Sequence, residues 1–434
     1  MRYLWLVYFP LLFLPNLGFS QATGFGTLEF ADFLIGPYLV LLVFAINWGD
    51  RLNIGRLTPW MGIFIAWALL STLTISLRYG VPADQVTEFG LLKIAKLGLY
   101  GLAGILTARA LTRESTRRAF DWSLLAAAVI TGVSLWSTRL GPAAERVAVA
   151  VVQTQVEQAT GYSANNGISV MAAILVAYLG GKWLVGDGSR LWRFVAPIGL
   201  VITVAGMAVS DGRGGWLAAL VGALYLALRL RFNWRVLAMV IAAVAVVGAL
   251  YQAQPEFRRQ VDVTLFLPTE QYGYQGTRTV GTVDDGARIE IWRDQVPKLA
   301  NAPWLGTGVF HRGGESGIYS SGSHNFWLQM FLETGIVGGL LVLAIPVGMW
   351  KQATRMRRAV GGRADVPLKA AIIAVLVGGM GGEYFYGGII LFTLFAVYAQ
   401  TGSVPLSTLS LPIRSARGGA RALPVGGPLP AAAD

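Results

Sequence analysis

The stretch SGSHNFWLQMFLETGIVGG, residues 321–339, begins polar and becomes apolar within a few residues. This change predicts that the chain enters a membrane here, on a helix that starts near Ser323. Because an α-helix turns by about 100° per residue, one stripe of that helix carries His324, Leu328, Phe331, Gly335, Gly338 and Gly339. Glycines on a helix surface let a neighbouring helix approach closely, which favours association in lipid. The stretch therefore predicts that His324 lies at the mouth of a tightly packed membrane site.

The composition of the whole chain agrees with a membrane location. The chain has 434 residues, of which 54% are hydrophobic and 13% charged, and its apolar runs recur at the length that spans a bilayer. It has no cysteine and two histidines, which excludes disulfides and thiolate metal sites and leaves little for a zinc centre. We therefore expect an all-α, polytopic membrane protein without a metal site or a cofactor.

The apolar runs predict twelve membrane-spanning helices. Their approximate bounds are 3–20, 27–47, 58–77, 91–111, 119–138, 164–183, 192–209, 214–230, 236–253, 324–350, 367–383 and 386–402. Residues 3–20 have the apolar character of a secretory signal, but no convincing cleavage site follows them, so we expect them to be the first span.

The distribution of charge predicts the orientation of these spans. The alternate connections and the two termini hold 22 of the 35 lysines and arginines, but only 5 of the 23 acidic residues. Since cytoplasmic loops are enriched in Lys and Arg, both termini are expected in the cytoplasm. The net charge of +12 then reflects topology, and it does not indicate a nucleic-acid partner.

The predicted organisation has four parts. We expect residues 1–253 to form transmembrane helices 1–9, residues 254–323 a periplasmic loop domain, residues 324–402 transmembrane helices 10–12, and residues 403–434 a disordered cytoplasmic tail. Within the loop, helical spacing places Ile289, Trp292, Val296 and Leu299 on one apolar face that docks on the membrane domain and carries Arg288 with it.

Polar residues near the predicted outer surface are the candidate binding groups. Arg213 lies in the very short turn SDGRGG, and its planar guanidinium suits a phosphate. The other candidates are two amides at the start of the sixth span, two lysines near the outer end of the fourth span, and the residue after His324: Asn165, Asn166, Lys93, Lys96 and Asn325.

Each candidate also has a purely structural interpretation. Lys93 and Lys96 can extend to the membrane interface without binding a ligand, and Asn165 and Asn166 can cap a helix. Arg213 can anchor its turn to lipid phosphates, and His324 can be an ordinary residue at a helix start. Glu333 lies on the side of the helix opposite His324, so we expect it to make a structural hydrogen bond inside the bundle.

Three motifs in this order resemble those of bacterial O-antigen ligases, within the wider family that includes O-antigen polymerases and protein O-oligosaccharyltransferases. The first is the turn SDGRGG, which is similar to the Ser-x-x-Arg-Gly turn of that family. The second is the loop segment ARIEIWRDQVPKLANAPWLGTG, residues 287–308. The third is His324-Asn325 followed by nine residues, Gly335, three residues and Gly339. Twelve spans with one large loop before the third-last span also match the layout of the family.

The resemblance implies the reaction and the site. It implies the C-type glycosyltransferase architecture and the transfer of a preassembled glycan from undecaprenyl diphosphate to lipid A-core, on the periplasmic side of the bacterial inner membrane. Arg213 and Arg288 would bind the diphosphate, and His324 would accept a proton from the attacking hydroxyl. Because the arginines can balance the diphosphate charge, we expect a metal-independent reaction that inverts the anomeric centre.

Two kinds of alternative function remain open at this point. Within the family, a polymerase or a protein O-oligosaccharyltransferase would use the same lipid donor with another acceptor. A transporter would also contain twelve spans, but it is expected to show related halves and a binding site at the membrane midplane. The sequence shows no such repeat, and its polar candidates gather at one surface.

Overall fold

The computed structural model describes the segments that form the helical bundle. These are residues 3–14, 30–46, 57–79, 90–111, 113–140, 161–186, 189–209, 212–230, 292–309, 323, 325–360, 362–382 and 389–402, with single or paired positions at 241, 245, 248–249, 251–252 and 258. Every regular element in these ranges is helical, in agreement with the predicted all-α class.

The α-helices of the described ranges are numbered in chain order. They are α1 Leu4–Tyr8, α2 Phe30–Ala45, α3 Leu57–Leu73, α4 Ile75–Tyr79, α5 Leu92–Ala110, α6 Glu114–Leu140, α7 Gly161–Val185, α8 Arg190–Val209, α9 Arg213–Leu230, α10 Phe326–Val360, α11 Val366–Met380 and α12 Ile389–Gly402. Two short 3₁₀ helices, Phe9–Phe13 and Val296–Asn301, complete the set.

These helices occupy the predicted spans closely. The ninth predicted span, 236–253, lies largely outside the described residues, and each of the other spans coincides with a described helix or helix pair. Four described helices are long and apolar enough to cross a membrane on their own, and they lie within α6, α7, α8 and α10. The chain therefore has the helices of an integral membrane protein.

Most of the predicted loop, 254–323, lies outside the described residues, as does the tail 403–434. In the described part of the loop, residues 292–295 are α-helical and the chain then tightens into the 3₁₀ helix from Val296. A 3₁₀ turn has about three residues instead of 3.6, so positions four apart no longer share a face. The predicted apolar face is therefore wrong at Val296, which is 53% exposed.

Helix α7 lies at the centre of the bundle and packs against α6, α8, α9, α11 and α12. Small residues allow its neighbours to approach closely. A Cβ atom added at Gly215 of α9 would lie 2.6 Å from the backbone carbon of Ser169 in α7. Likewise, a Cβ atom at Gly206 of α8 would lie 2.1 Å from the carbonyl oxygen of Gly132 in α6. The helices therefore approach each other through backbone contacts, as expected for association in lipid.

The two ends of the bundle differ in their polar groups. At one end, here named the basic end, Lys182 pairs with Asp121 at 2.5 Å and Arg363 donates to the carbonyl oxygen of Leu230 at 2.7 Å. At the opposite end, here named the site end, residues 303–309 dock between α3 and α10. The candidate residues that the structure describes lie toward the site end.

Candidate functional site

Helix α10 is interrupted at Gly335, whose φ of 70° and ψ of −176° are not helical. Beside the interruption, the carbonyl oxygens of Leu332 and Glu333 accept hydrogen bonds from partners outside the helix. Segment 303–309 supplies those partners, because the amide of Thr307 donates to Leu332 at 2.9 Å and the amide of Gly308 donates to Glu333 at 2.7 Å. Irregular backbone within a membrane domain is tolerated where protein groups satisfy it in this way.

The tight fit between the two segments requires glycine. A Cβ atom at Gly335 would lie 2.0 Å from the carbonyl oxygen of Trp304, and one at Gly306 would lie 2.4 Å from that of Glu333. Both glycines have positive φ, which side-chain-bearing residues rarely adopt. The expected continuous stripe from His324 to Gly339 is therefore wrong, since the helix breaks at Gly335 and a loop, not a neighbouring helix, contacts that glycine.

Helix α3 holds the same interruption from the other side. The indole Nε1 of Trp67 donates to the carbonyl oxygen of Thr334 at 2.9 Å. The Oγ of Ser71 donates to the carbonyl oxygen of Glu333 at 2.9 Å, and it also contacts the carbonyl oxygen of Leu305. One hydroxyl on α3 therefore touches both the docked segment and the broken helix.

Two further residues fix the docked segment. The guanidinium of Arg78 donates to the carbonyl oxygen of Gly306, and Oγ1 of Thr72 accepts from the amide of Val309 at 3.1 Å. Sequence reasoning missed these residues together with Ser71. The adjacent hydroxyls of Ser71 and Thr72 in a largely apolar span are a sequence signal for polar contacts inside the membrane. The signal does not identify the partners, which lie more than 200 residues away along the chain.

Helix α10 starts at Phe326 and not near Ser323 as expected. Asn325 caps it, because its Oδ1 accepts from the amides of Trp327 at 3.1 Å and Leu328 at 3.2 Å. These are the amides that a helix start leaves unsatisfied. The structure thus gives Asn325 a capping role, while its predicted contact with substrate stays a prediction.

A second set of hydrogen bonds fixes Ser323. Its amide donates to Oε1 of Gln329 at 3.0 Å, and its carbonyl oxygen accepts from Nε1 of Trp292 at 2.8 Å. Nε2 of Gln329 in turn donates to Oε1 of Glu333 at 2.6 Å. Glu333 is 1% exposed, so the predicted hydrogen bond of Glu333 inside the bundle is confirmed.

Arg213 is the first residue of α9, one position before the expected start of the eighth span at 214. The carbonyl oxygen of the preceding Gly212 accepts from Oγ of Ser169 in α7 at 3.3 Å. A Cβ atom at Gly381, just after α11, would lie 3.0 Å from the Cα of Gly214. The start of α9 is therefore packed between α7 and the end of α11.

The start of α10 lies at the same end of α11. Nε1 of Trp327 donates to the carbonyl oxygen of Leu376 at 2.9 Å, and Leu376 precedes Gly381 by about one and a half helical turns, or roughly 7 Å of rise. The structure therefore places the start of α9 and the start of α10 at the same end of α11. Arg213 is the first residue of α9, and His324 directly precedes Asn325, the cap of α10.

Asn165 and Asn166 lie inside the first turns of α7, which begins at Gly161. The expectation that they cap this helix is therefore wrong, because a capping residue precedes the first turn. The backbone of both residues is described, and their side chains lie outside the description. Their predicted role toward a sugar stays a prediction.

The two lysines of the fourth predicted span are buried, at 8% exposure for Lys93 and 4% for Lys96. The expectation that they extend to the membrane interface is therefore wrong. Nζ of Lys96 pairs with Oδ2 of Asp32 at 2.6 Å, and the hydroxyl of Tyr100 donates to Oδ1 of the same carboxylate at 3.0 Å. The pair favours a structural role for Lys96, since removing one partner would leave a buried charge.

The remaining predicted site residues lie outside the described positions. His324, Arg288 and the side chain of Arg213 belong to this group. Their described neighbours are Ser323 and Asn325 on either side of His324, Gly212 and Gly214 on either side of Arg213, and Trp292 four positions after Arg288. The hydrogen bond from Trp292 to Ser323 joins the loop motif, residues 287–308, to the residue that directly precedes His324.

Comparison with known proteins gives one family. The profile of the family described as O-Antigen ligase matches residues 198–343. This range begins within α8, contains α9 and the docked segment 303–309, and ends within α10 beyond the interruption at Gly335. A comparison with curated proteins gives no match.

Proposed function

The match to the O-antigen ligase family covers residues 198–343, and we propose that this chain is a member of that family that transfers a preassembled glycan from undecaprenyl diphosphate to lipid A-core. Membership of the family implies an enzyme that acts on a lipid-linked sugar in a membrane. The proposal adds the diphosphate donor, the lipid A-core acceptor and the location of the reaction at the periplasmic face of the bacterial inner membrane. The proposed topology has twelve spans, with residues 236–253 as the ninth, and both termini in the cytoplasm.

The observation that carries the proposal is the location of two helix starts at the same end of α11. Helix α9 begins at Arg213 and α10 begins at Phe326, and both starts contact the last turns of α11 or the residue after it. A helix start carries a partial positive charge, which attracts an anion. Two such starts beside an arginine form an environment that suits the diphosphate of a lipid carrier.

In the proposed reaction, the hydroxyl oxygen of the acceptor attacks the anomeric carbon of the donor glycan. The hydroxyl proton passes to the imidazole of His324, the bond between the anomeric carbon and the phosphate oxygen breaks, and undecaprenyl diphosphate leaves. Arg213 and Arg288 stabilise the charge that develops on the leaving group. A single in-line displacement inverts the anomeric centre.

Arginine is better suited than lysine to this task. Its guanidinium donates two parallel hydrogen bonds to a phosphate and stays charged in any surroundings. The short turn before α9 keeps Arg213 close to the membrane surface, where the diphosphate of an undecaprenyl carrier also lies. The hydrogen bond from Trp292 to Ser323 supports a similar proximity of the segment that contains Arg288.

The test is transfer of a labelled glycan by the purified full-length chain. Undecaprenyl diphosphate-linked glycan is supplied with lipid A-core, and we expect labelled glycan on lipid A-core. Labelled glycan that instead lengthens on the lipid carrier would indicate a polymerase, and label on added acceptor protein would indicate a protein O-oligosaccharyltransferase. Recovery of the donor unchanged with every acceptor, from a chain shown to be folded, would contradict the proposed function.

A further inference from the structure

The buried pair Gln329 and Glu333 connects the interruption of α10 to the residue before His324. The backbone carbonyl of Glu333 accepts from the amide of Gly308 and from Oγ of Ser71. Its side chain accepts from Nε2 of Gln329, and Oε1 of Gln329 accepts from the amide of Ser323. A continuous series of hydrogen bonds therefore runs from the docked segment to Ser323.

The chemistry of a carboxylate fixes the direction of this series. The amide group of Gln329 turns its NH₂ toward Glu333, whose Oε1 accepts the hydrogen bond. Its carbonyl oxygen then points away from Glu333 and meets the amide of Ser323 at 3.0 Å. Glu333 thus determines which atom of Gln329 faces Ser323, although Glu333 and Ser323 lie ten positions apart in the sequence.

Both neighbours of His324 are held by this arrangement. Oγ of Ser323 donates to the carbonyl oxygen of Asn325 at 2.6 Å and accepts from the amide of Asn325 at 3.2 Å. Asn325 in turn caps α10. With Ser323 and Asn325 tied to each other, to Gln329 and to α10, the backbone positions on both sides of residue 324 are fixed.

We propose that Gln329 and Glu333 are positioning residues of the transfer reaction, which hold the segment that carries His324 in its reactive place. This inference rests on the proposed function. A buried carboxylate inside a membrane helix is costly, and a polar pair at these positions is retained where it has a specific task. Here that task is to orient the Gln329 amide, which leaves substrate contact to His324 and the arginines.

Exchanging the two functional groups tests the inference. In Gln329→Glu alone, two carboxylates face each other, so either the hydrogen bond is lost or a proton is taken up. In the double variant Gln329→Glu/Glu333→Gln, the new amide at 333 donates to the new carboxylate at 329. That carboxylate can still accept from the amide of Ser323. The double variant therefore restores each hydrogen bond of the series with the two groups interchanged.

The measurements are kcat, KM for donor and for acceptor, and the melting temperature of the purified full chain. Gln329→Glu should lower kcat at least about 10-fold and leave both KM values within about 2-fold, because a misplaced base affects the reaction step more than binding. The double variant should recover kcat to within about 3-fold of wild type. Gln352→Glu, the same change near the other end of α10, should match wild type.

Hydrogen exchange of the backbone provides a readout that does not depend on activity. Gln329→Glu should accelerate exchange of the Ser323 amide, and the double variant should restore its protection. The positioning role alone is overturned if Gln329→Glu keeps the wild-type kcat. It is also overturned if the double variant is as slow as the single variant while its melting temperature is unchanged. A wild-type chain that transfers no glycan overturns the proposed function and this role together.

Discussion

The indole Nε1 of Trp292 donates a hydrogen bond of 2.8 Å to the carbonyl oxygen of Ser323. Trp292 follows Arg288 by four positions in the sequence, and Ser323 precedes His324 directly. The bond therefore links the segment of the proposed phosphate-binding arginine to the segment of the proposed base. Two residues separated by 31 positions therefore connect the loop motif and the motif that begins at His324, which are separate motifs in the sequence.

Replacing Trp292 with phenylalanine removes this donor and keeps an aromatic ring. A neutral hydrogen bond contributes about 1 kcal/mol, so we expect little change in melting temperature. Loss of alignment between the two segments should lower kcat about 10-fold. Trp304→Phe is the control, because Trp304 lies in the docked segment and its side chain is 66% exposed. Equal transfer rates for both variants would exclude an aligning role for Trp292.

Gly335→Ala tests the interruption of α10. The added methyl would lie 2.0 Å from the carbonyl oxygen of Trp304, at a positive φ that alanine rarely adopts. Strain of this kind costs about 1–3 kcal/mol before the clash is counted, so the variant should melt at a distinctly lower temperature or fail to accumulate. Gly62→Ala in α3 is the control, since nothing lies within 4 Å of its added methyl. A Gly335→Ala chain as stable as that control would show that segment 303–309 does not depend on this contact.

Arg213→Lys and Arg288→Lys test whether the diphosphate is bound by two parallel hydrogen bonds. Each change keeps the positive charge and removes the planar pair of donors. We expect each variant to lower kcat/KM for the donor about 10²-fold. Arg229→Lys, in the last turn of α9 at the basic end, serves as the control. Lysine variants with wild-type kinetics would mean that charge alone suffices at these positions.

His324→Ala and His324→Gln test the proposed base. General-base catalysis contributes about 10²- to 10⁴-fold in rate, so both variants should lose transfer by that factor while donor binding stays nearly unchanged. Glutamine should not restore activity, because an amide cannot take up the proton. The amount of each variant in the membrane must be measured as well, since a misfolded chain imitates catalytic loss. Near-normal transfer by His324→Gln would limit His324 to positioning the acceptor.

Reporter fusions test the orientation. A reporter inserted in 254–323 should behave as periplasmic, and reporters in 351–366 or after Arg414 should behave as cytoplasmic. The physical reason is the excess of Lys and Arg in the latter segments. The reverse pattern at either place would put the start of α10 on the cytoplasmic side and remove the proposed periplasmic reaction.

The positions of the helices could be predicted because hydrophobic runs of bilayer length are a local property of the sequence. The expected start of the eighth span at 214 lies one position from the start of α9 at Arg213, because only a very short polar turn separates two apolar runs. The family resemblance likewise depended on motifs that are contiguous in the chain. The matched range of the family includes all three motifs.

What could not be predicted depends on partners that are distant in the chain. The pairing of Lys96 with Asp32 joins two helices, so the periodicity of either one alone gave no sign of it. A continuous helix through Gly335 was the natural prediction because glycine is common in membrane helices. Only contact with Trp304, Thr307 and Gly308 reveals the interruption.

The interruption at Gly335 also has a consequence for how the chain is made. Ser71 belongs to α3, and its partner Glu333 lies 262 residues further along, so α3 enters the bilayer long before that carbonyl has been synthesised. Until then, the hydroxyls of Ser71 and Thr72 can be satisfied by carbonyls of their own helix. When α10 emerges, the carbonyls at its interruption cannot remain in lipid unsatisfied. We therefore expect insertion of α10 to be coupled to the arrival of segment 303–309 on α3, late in biosynthesis.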